Sequence, residues 1–317
     1  MKDIPTFYDQ ATNMTNSNIL SVDLAGIHLR NPLLLASGFL GISQNIFNRL
    51  YRSGIGAIVS KSISIDPMEG YKGPTIISIY EKSYLNAIGL SNPGAHAFAE
   101  EISNNKTPLI VSLVGSSEKD FPHLIQEFDN CNILGYEINL SCPHVAKMGM
   151  EVGDDPNLVT KIIKTIKKRT KKPVIIKVGI GSSDIINLAK IIEDSGADAI
   201  TAINTIRAMA INIETGMPIL SNKIGGLSGI SIKPVGIRCV YEISKKVDIP
   251  VIGCGGIFSW EDVIEYIQAG AIAVELGSVI GNKGINIFNN ITKGILKYLD
   301  KKGYKNIMEI HKLAHKY

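Results

Sequence analysis

Residues 249–278, IPVIGCGGIFSWEDVIEYIQAGAIAVELGS, decide the fold. Two apolar runs rich in β-branched residues, Ile249–Gly256 (IPVIGCGG) and Ile272–Ser278 (IAVELGS), flank a stretch of helical period, Trp260–Ala269. Neither run alternates cleanly between apolar and polar residues. Such near-continuous apolar character marks a strand buried on both faces, as in a parallel sheet. Each run also ends in a glycine turn, Gly255-Gly256 in the first and Gly277-Ser278 in the second.

Working outward, six more runs of the same kind precede these two. They are Asn31–Gly38 (NPLLLASG), Ala57–Ser64 (AIVSKSIS), Leu109–Gly115 (LIVSLVG), Gly135–Cys142 (GYEINLSC), Pro173–Gly179 (PVIIKVG) and Ala199–Asn204 (AITAIN). Helix-period segments follow most of them: Ser117–Asp129, Pro156–Thr170, Ser183–Ser195 and Lys233–Val247. Strand–helix alternation predicts α/β architecture, and eight units predict a closed (β/α)8 TIM barrel, with residues 1–317 forming one domain. A doubly wound sheet is the alternative. No strand is followed by GxGxxG or GxxxxGK[ST], and Gly277–Lys283 (GSVIGNK) only approximates a P-loop. Ahead of the first strand, Leu20–Arg30 (LSVDLAGIHLR) reads as a hairpin around Ala25-Gly26 that caps the N-terminal end of the barrel. Long excursions follow the second, fourth and sixth strands, at 65–95, 143–156 and 205–232. All three leave from C-terminal strand ends, the face on which barrel enzymes build their active sites.

Composition excludes several function classes. Apolar residues make up 45% of the 317-residue chain, charged residues 20%, and the formal net charge is +4. That balance is too weak for a nucleic-acid partner. The one basic stretch, Lys161–Lys172 (KIIKTIKKRTKK), places Ile at helical spacing and reads as a helix with a solvated face. Cys131, Cys142, Cys239 and Cys254 form no CxxC pair, so a zinc ribbon or cysteine-ligated cluster is not expected. No secretory h-region and no bilayer-length apolar run occurs, which makes the cytoplasm the default. His311 and His315 stand at i, i+4 on a C-terminal helix. They lack the HExxH pattern and read as solvated surface, so no metal is expected.

Polar residues stand where the buried runs end. Lys61 lies inside AIVSKSIS; Asn139 and Cys142 end the fourth run, Lys177 the fifth and Asn204 the sixth. A single lysine in such a run can be snorkelling or salt-bridged. Two lysines and two asparagines at C-terminal strand ends describe a site for an anionic, carbonyl-rich ligand. Glycine turns after strands seven and eight expose backbone N–H groups where barrels usually hold phosphate. Gly225–Gly229 (GGLSG) can add further donors. Cys142, before Pro143, is either a small buried hydrophobe or a thiol able to accept a proton when a nearby cation such as Lys61 favours the thiolate.

At these residues the sequence resembles the class 1 dihydroorotate dehydrogenases, most closely the archaeal-type 1B catalytic subunits. The resemblance runs from about Asn18 to the end of the eighth unit. Its most specific pieces are Asn31–Gly41 (NPLLLASGFLG), Asn86–Gly94 (NAIGLSNPG), Asn139–Pro143 (NLSCP), Ile203–Thr205 (INT), Gly225–Gly229 with Ile232-Lys233-Pro234, and Ile252–Ile257 (IGCGGI). The resemblance implies FMN at the C-terminal mouth, contacted by Ser37, Lys61, Ser62, Asn139, Lys177, Ile203 and Gly229, with its phosphate on Gly255, Gly256, Gly277 and Ser278. It places the substrate against Lys61, the loop Asn86, Ala87, Ile88, Gly89 and Leu90, and Asn139, Asn204 and Thr205. Cys142 would be the catalytic base, assisted by Lys61, as dihydroorotate becomes orotate. It further implies either a partner subunit carrying FAD and a 2Fe–2S cluster or direct reduction of a soluble acceptor, within a homodimer or heterotetramer. Three positions depart from the usual pattern: His144, Ser112, and Gly179–Gly181 (GIG) after the strand-five lysine. SCPH together with Met148-Gly149-Met150 also resembles the dihydropyrimidine dehydrogenases, which reduce uracil or thymine, whereas Ile219–Gly229 fits the orotate enzymes better. A phosphosugar lyase or isomerase, and a flavin-free binding barrel, are the rivals of other classes.

Overall fold

A computed structural model describes residues 19–140, 153, 155–181 and 184–317. The chain opens on the expected hairpin, β1 (Val22–Leu24) with β2 (Ile27–Leu29), in antiparallel register Val22↔Leu29. Its two turn residues, Ala25 and Gly26, both have positive φ (53° and 82°), the geometry that matches the twist of a two-residue hairpin. The Asp23 carboxylate accepts the Gly26 N–H at 2.8 Å and closes the turn. Val22, Leu24, Ile27 and Leu29 turn their side chains into the main core, and the hairpin runs straight into the first barrel strand.

Eight parallel strands then close on themselves. They are β3 (Leu33–Leu35), β4 (Ala57–Val59), β7 (Leu109–Leu113), β8 (Gly135–Asn139), β9 (Val174–Val178), β10 (Ala199–Ala202), β13 (Val251–Cys254) and β14 (Ala273–Leu276). Each lies within one of the eight apolar runs. The barrel closes where β14 pairs β3, with Val274 opposite Leu33. Nearly every strand residue is buried, because helices cover the outer face and side chains fill the inner one; this is why the runs do not alternate. The helices follow the expected stretches, and Trp260–Ala269 agrees to the residue. Caps set their starts: Asp155 accepts the N–H groups of Asn157 and Leu158, and Ser259 with Asp262 forms a capping box. The basic helix Pro156–Arg169 buries Val159, Ile162, Ile163 and Ile166. Two of its cations are used locally: Lys167 pairs with Asp198 at 2.6 Å and Arg169 with Asp129.

The excursions after β4 and β10 are not plain loops. They build a second sheet from β5 (Ile76–Tyr80), β6 (Ser83–Asn86), β11 (Ile206–Met209) and β12 (Ile224–Gly229), ordered β11-β12-β6-β5 and antiparallel throughout. Pairing of β12 with β6, Gly226 opposite Asn86, ties the two excursions together over the C-terminal rim. This sheet has its own small core of Leu85, Ala87 and Leu220.

The C-terminal histidines correct the sequence reading. His311 and His315 lie in and beside two 3-10 turns broken at Lys312 (φ 57°), and neither is solvated surface. Nε2 of His311 meets the Gly270 carbonyl at 3.1 Å, and Nε2 of His315 meets the Ala269 carbonyl at 2.9 Å. Both rings therefore serve the carbonyls at the C-terminal end of helix Trp260–Ala269. Burial also pushes the His311 imidazole below its ordinary range. Among the described residues no group of acidic, histidine or cysteine side chains could hold a metal, and no helix is long and apolar enough to cross a membrane.

Helix Ile287–Lys302 crosses the same helix at Gly294, where an added Cβ would stand 2.2 Å from Trp260 Cδ1 and 2.7 Å from its Cβ. Alanine would ordinarily gain about 1 kcal/mol over glycine inside a helix. Overpacking against the root of an indole costs about 1–3 kcal/mol. Gly294→Ala is therefore expected to lower stability, read as a drop in Tm. A rise in Tm would show that Trp260 moves aside and that propensity decides.

Candidate active site

The C-terminal rim carries a connected polar network. The Ala36 N–H bonds the Leu276 carbonyl at 2.9 Å, which brings the ends of the first and eighth strands together and presents Ser37. Ser62, just past β4 and buried, is the hub. Its Oγ lies 3.3 Å from Ser37 Oγ and 3.1 Å from Ser112 Oγ, and it accepts the Asn139 Nδ2–H at 3.1 Å. Asn139 Oδ1 in turn accepts Nδ2–H of Asn204 at 3.2 Å, and Asn204 Oδ1 accepts the Thr205 N–H at 2.8 Å. Five strands thus contribute to one chain of hydrogen bonds, and each amide is held by its neighbours in a set orientation. The backbone beyond β10 is fixed as well: Ile203 N–H bonds Cys254 O at 3.0 Å and Asn204 N–H bonds Val178 O at 2.8 Å. Lys61 sits beside the hub, its N–H on the Gly41 carbonyl at 2.9 Å. Its half-buried ammonium is desolvated, which lowers its pKa from the ordinary lysine value.

The second sheet delivers the loop Asn86–Leu90 to this rim. The Asn86 amide donates to the Gly226 carbonyl at 3.1 Å, Ala87 N–H bonds Thr75 O at 2.7 Å, and the Ile88 carbonyl accepts Tyr71 N–H at 3.1 Å. Gly89 and Leu90 both take positive φ, 75° and 56°. The Asn92 side chain pins the loop's exit, donating to Ser64 Oγ at 2.9 Å and to Leu90 O at 2.8 Å. Thr205 meets the same sheet, because a Cβ on Gly226 would stand 2.1 Å from its Oγ1. A cleft of about 240 Å³ opens alongside, lined by Ser64, Ile65, Met68, Leu90, Val114 and Asp120 among others.

Across the rim the glycines form a cradle. Gly255 and Gly256 have φ of 122° and 70°, and a Cβ on Gly256 would lie 2.6 Å from Lys233 Cβ and 2.9 Å from the Gly229 carbonyl. Gly229 (φ 93°) in turn presses on the Lys82 carbonyl. Register Cys254↔Glu275 sets the ends of β13 and β14 side by side, so Gly277 and Ser278 adjoin Gly255 and Gly256. The ring of Phe39 covers Gly277, 3.0 Å from where its Cβ would be.

Beneath the network lies a buried ionic layer. Lys177 of β9 pairs with Glu275 of β14 at 2.5 Å and stands 3.8 Å from Glu137 of β8. Thr201 Oγ1 lies 3.1 Å from Glu137 Oε2 and 3.4 Å from Glu275 Oε1. Burial alone would push Lys177 down, but the two carboxylates outweigh it and hold the ammonium above the ordinary lysine range. Burial and the neighbouring Glu275 carboxylate push Glu137 well above the usual carboxylate range. Cys254, on the same layer, is pushed up to about 12, chiefly by burial, and is a poor nucleophile.

The sequence model of the family described as dihydroorotate dehydrogenase matches residues 19–299. The chain belongs to the dihydroorotate dehydrogenase family. It is 42% identical over 299 residues to the catalytic subunit of dihydroorotate dehydrogenase B (NAD(+)) of Pyrococcus furiosus, covering 94% of this chain and 99% of that one. The subunit of the same description from Pyrococcus abyssi is 43% identical over 298 residues, 93% of this chain and 99% of the relative. That of Archaeoglobus fulgidus is 43% identical over 267 residues, 83% of this chain and 88% of the relative.

Within this dihydroorotate dehydrogenase family chain, hydrogen bonds join Ser37, Ser62, Asn139, Asn204 and Thr205 directly, and Lys61, Ile203, the 86–90 loop and the glycine cradle stand at the same rim. Lys177 lies one layer below. Cys142 and His144 fall outside the described residues. Strand β8 runs up to this rim, where Leu140 is buried and bonded to the Lys177 carbonyl at 3.4 Å. Sequence reasoning missed Glu137, Glu275 and Thr201. The signal was present: each glutamate interrupts an apolar run, GYEINLSC or IAVELGS, as Lys61 interrupts AIVSKSIS.

Ser62→Ala would leave the buried Ser112 hydroxyl without its Ser62 partner and remove one hydrogen bond from Asn139. An unmade buried hydrogen bond costs about 1–3 kcal/mol, so urea unfolding should show a loss of that order. Stability equal to wild type would mean that Ser62 is not the hub.

Proposed function

We propose that the chain binds FMN at the C-terminal rim and oxidises (S)-dihydroorotate to orotate in the de novo synthesis of UMP. The observation that carries this reading is the meeting, at one rim, of an oriented asparagine pair and a glycine cradle above a buried lysine cation. The donor set fits the cofactor. A phosphate needs backbone N–H groups with no side chain in the way, and the glycine turns Gly255-Gly256 and Gly277-Ser278 stand side by side at adjacent strand ends. A flavin pyrimidine needs fixed donors and a cation, and Ser62, Asn139, Lys61 and Lys177 offer them. When bound, FMN supplies at N5 a hydride acceptor for the hydrogen leaving C6 of the substrate.

The chain's own residues carry the rest. Cys142 is assigned the base that removes the C5 proton; it follows Leu140, which ends β8's approach to the rim, by two positions. Lys61 is assigned as the cation that favours the thiolate. Asn139 and Asn204, each locked by the other, present amide donors and acceptors to an imide ring and its carboxylate. Asn86, Ala87, Ile88, Gly89 and Leu90, with Thr205, close the substrate's other side and exclude water. Ser37, Ile203, Gly277 and Ser278 complete the cofactor's surroundings. Electrons leave through a partner subunit bearing FAD and a 2Fe–2S cluster, with NAD as terminal acceptor, in a homodimer-based heterotetramer. The relatives' description as catalytic subunits supports this. So do exposed apolar residues such as Ile213 (90% exposed) and Met217 (65%) on the strand-six excursion, since large exposed apolar groups mark partner surfaces. A cytoplasmic location follows from this role.

Purified protein should be yellow and should bleach when dihydroorotate is added without oxygen; dihydrouracil should leave it oxidised. Colourless protein, or bleaching by dihydrouracil alone, overturns the reading. Cys142→Ala should stay yellow but reduce its flavin about 10²–10⁴-fold more slowly, the usual contribution of a general base. An unchanged stopped-flow rate removes Cys142 from the mechanism. Gly256→Ala, strained at φ 70° and crowded by Lys233, should purify with less FMN per chain, judged by the ratio of visible to ultraviolet absorbance. Full occupancy would move the phosphate elsewhere.

A further inference from the structure

The barrel floor contains more acid than its lysine can balance. Glu137 and Glu275 are 0% and 1% exposed, and Lys177, 4% exposed, is the cation that faces them. With both acids ionised the layer would carry a net negative charge in a dry interior, an arrangement that proteins avoid by binding a proton. The hydrogen bonds point the same way. Lys177 Nζ reaches Glu275 Oε2 at 2.5 Å but stays 3.8 Å from Glu137 Oε1, beyond hydrogen-bond range. Thr201 has one hydroxyl hydrogen, and it can serve Glu137 Oε2 or Glu275 Oε1 but not both. Glu137 Oε1 is consequently left buried with no donor among the described residues. An ionised carboxylate only accepts, so that oxygen would be stranded; a protonated one donates. The Glu275 carboxylate flanks the same Thr201 hydroxyl as Glu137 and can receive it. Cys254, which also faces the layer, stays a neutral thiol and adds no charge.

We propose that Glu137 and Glu275 share a single proton at neutral pH and act as positioning residues for Lys177, holding it as a fixed cation in a layer whose net charge is zero. The functional consequence rests on the FMN reading above. A neutral floor with an oriented ammonium favours negative charge gained by the ring above it, whereas a floor with two ionised acids would oppose it. Glu275 supplies the counter-ion that keeps the lysine charged despite burial. Glu137 is the proton's resting place and the reserve counter-ion.

Infrared difference spectra test the proton directly and need neither flavin nor substrate. At neutral pH, wild type minus Glu137→Gln should show the carbonyl stretch of a buried carboxylic acid. Glu275→Gln should lose that same band although Glu137 is intact, because Glu137 must then ionise to balance Lys177. Lys177→Met should raise the band about twofold, both acids having become neutral. A wild type without the band, or a Glu275→Gln variant that keeps it, overturns the proposal. The link to Lys177 is read separately, in flavin-loaded protein. In Glu137→Gln/Glu275→Gln the lysine loses both counter-ions, burial leaves it a neutral amine, and the midpoint potential of the bound flavin should fall; an unchanged or higher potential breaks the link. Protein that binds no flavin defeats the proposed function while leaving the infrared result to decide the proton, and a double variant that fails to fold leaves the single variants to decide it.

Discussion

Closing eight parallel strands leaves an interior without water, so each polar side chain directed inward must find its partner on another strand of the same barrel. The ion pair between Lys177 and Glu275 is the strongest case. Its members are 98 residues apart in sequence and 2.5 Å apart in space. Neither could be buried alone, since the desolvation of a lone ion in such a place far exceeds what packing returns. The pair fixes β9 relative to β14, and Thr201 and Glu137 extend the tie to β10 and β8. Above it, the Ser62 hub does the same for the strands that supply Ser37, Ser112 and Asn139. The site is thus made of the side chains that the barrel must satisfy in order to close. Its rigidity follows from that closure, and the excursions add to it without being its source.

Much of this was legible in the sequence because the signals are local. A strand buried on both faces declares itself by an unbroken apolar run, and all eight runs contain the barrel strands. The helix Trp260–Ala269 was readable to the residue, because glycine turns bound it on one side and Gly270, in the left-handed region at φ 117°, stops it on the other. The hairpin was readable because Ala25-Gly26 separates two alternating segments. Lys61, Asn139, Lys177 and Asn204 stood out as polar groups inside or at the ends of buried runs, whereas Ser37, Ser62 and Thr205 came only from the family resemblance.

What escaped is non-local. The second sheet depends on β6 pairing with β12 across 140 residues, and β12 (Ile224–Gly229, IGGLSG) has too little β-branched character to be recognised alone. Glu137 and Glu275 were passed over because a charge inside an apolar run has meaning only beside its partner, and the partner lies on another strand. The histidines show the converse error. An i, i+4 spacing implies a shared helical face only when a helix is there, and Lys312 at positive φ breaks it. The sequence showed two exposed imidazoles; the fold uses both to satisfy carbonyls at a helix end.

The second sheet explains why two excursions so far apart must be built together. The 86–90 loop buries Ala87 in the second sheet's core, and its backbone is held by Thr75, Tyr71 and Gly226. Thr205, at the start of the other excursion, packs against Gly226, the residue that receives the Asn86 amide. Removing either excursion would therefore release both the loop and Thr205, and with them one side of the rim site. The glycines of β12 make this possible. Any side chain at Gly225 or Gly226 would strike the Asn86 carbonyl or Thr205, at 2.5 and 2.1 Å. A strand with poor intrinsic propensity is the one that lets two backbones and a threonine approach closely enough to meet over the barrel mouth. The feature that hid this strand in the sequence is thus the feature that the site requires of it.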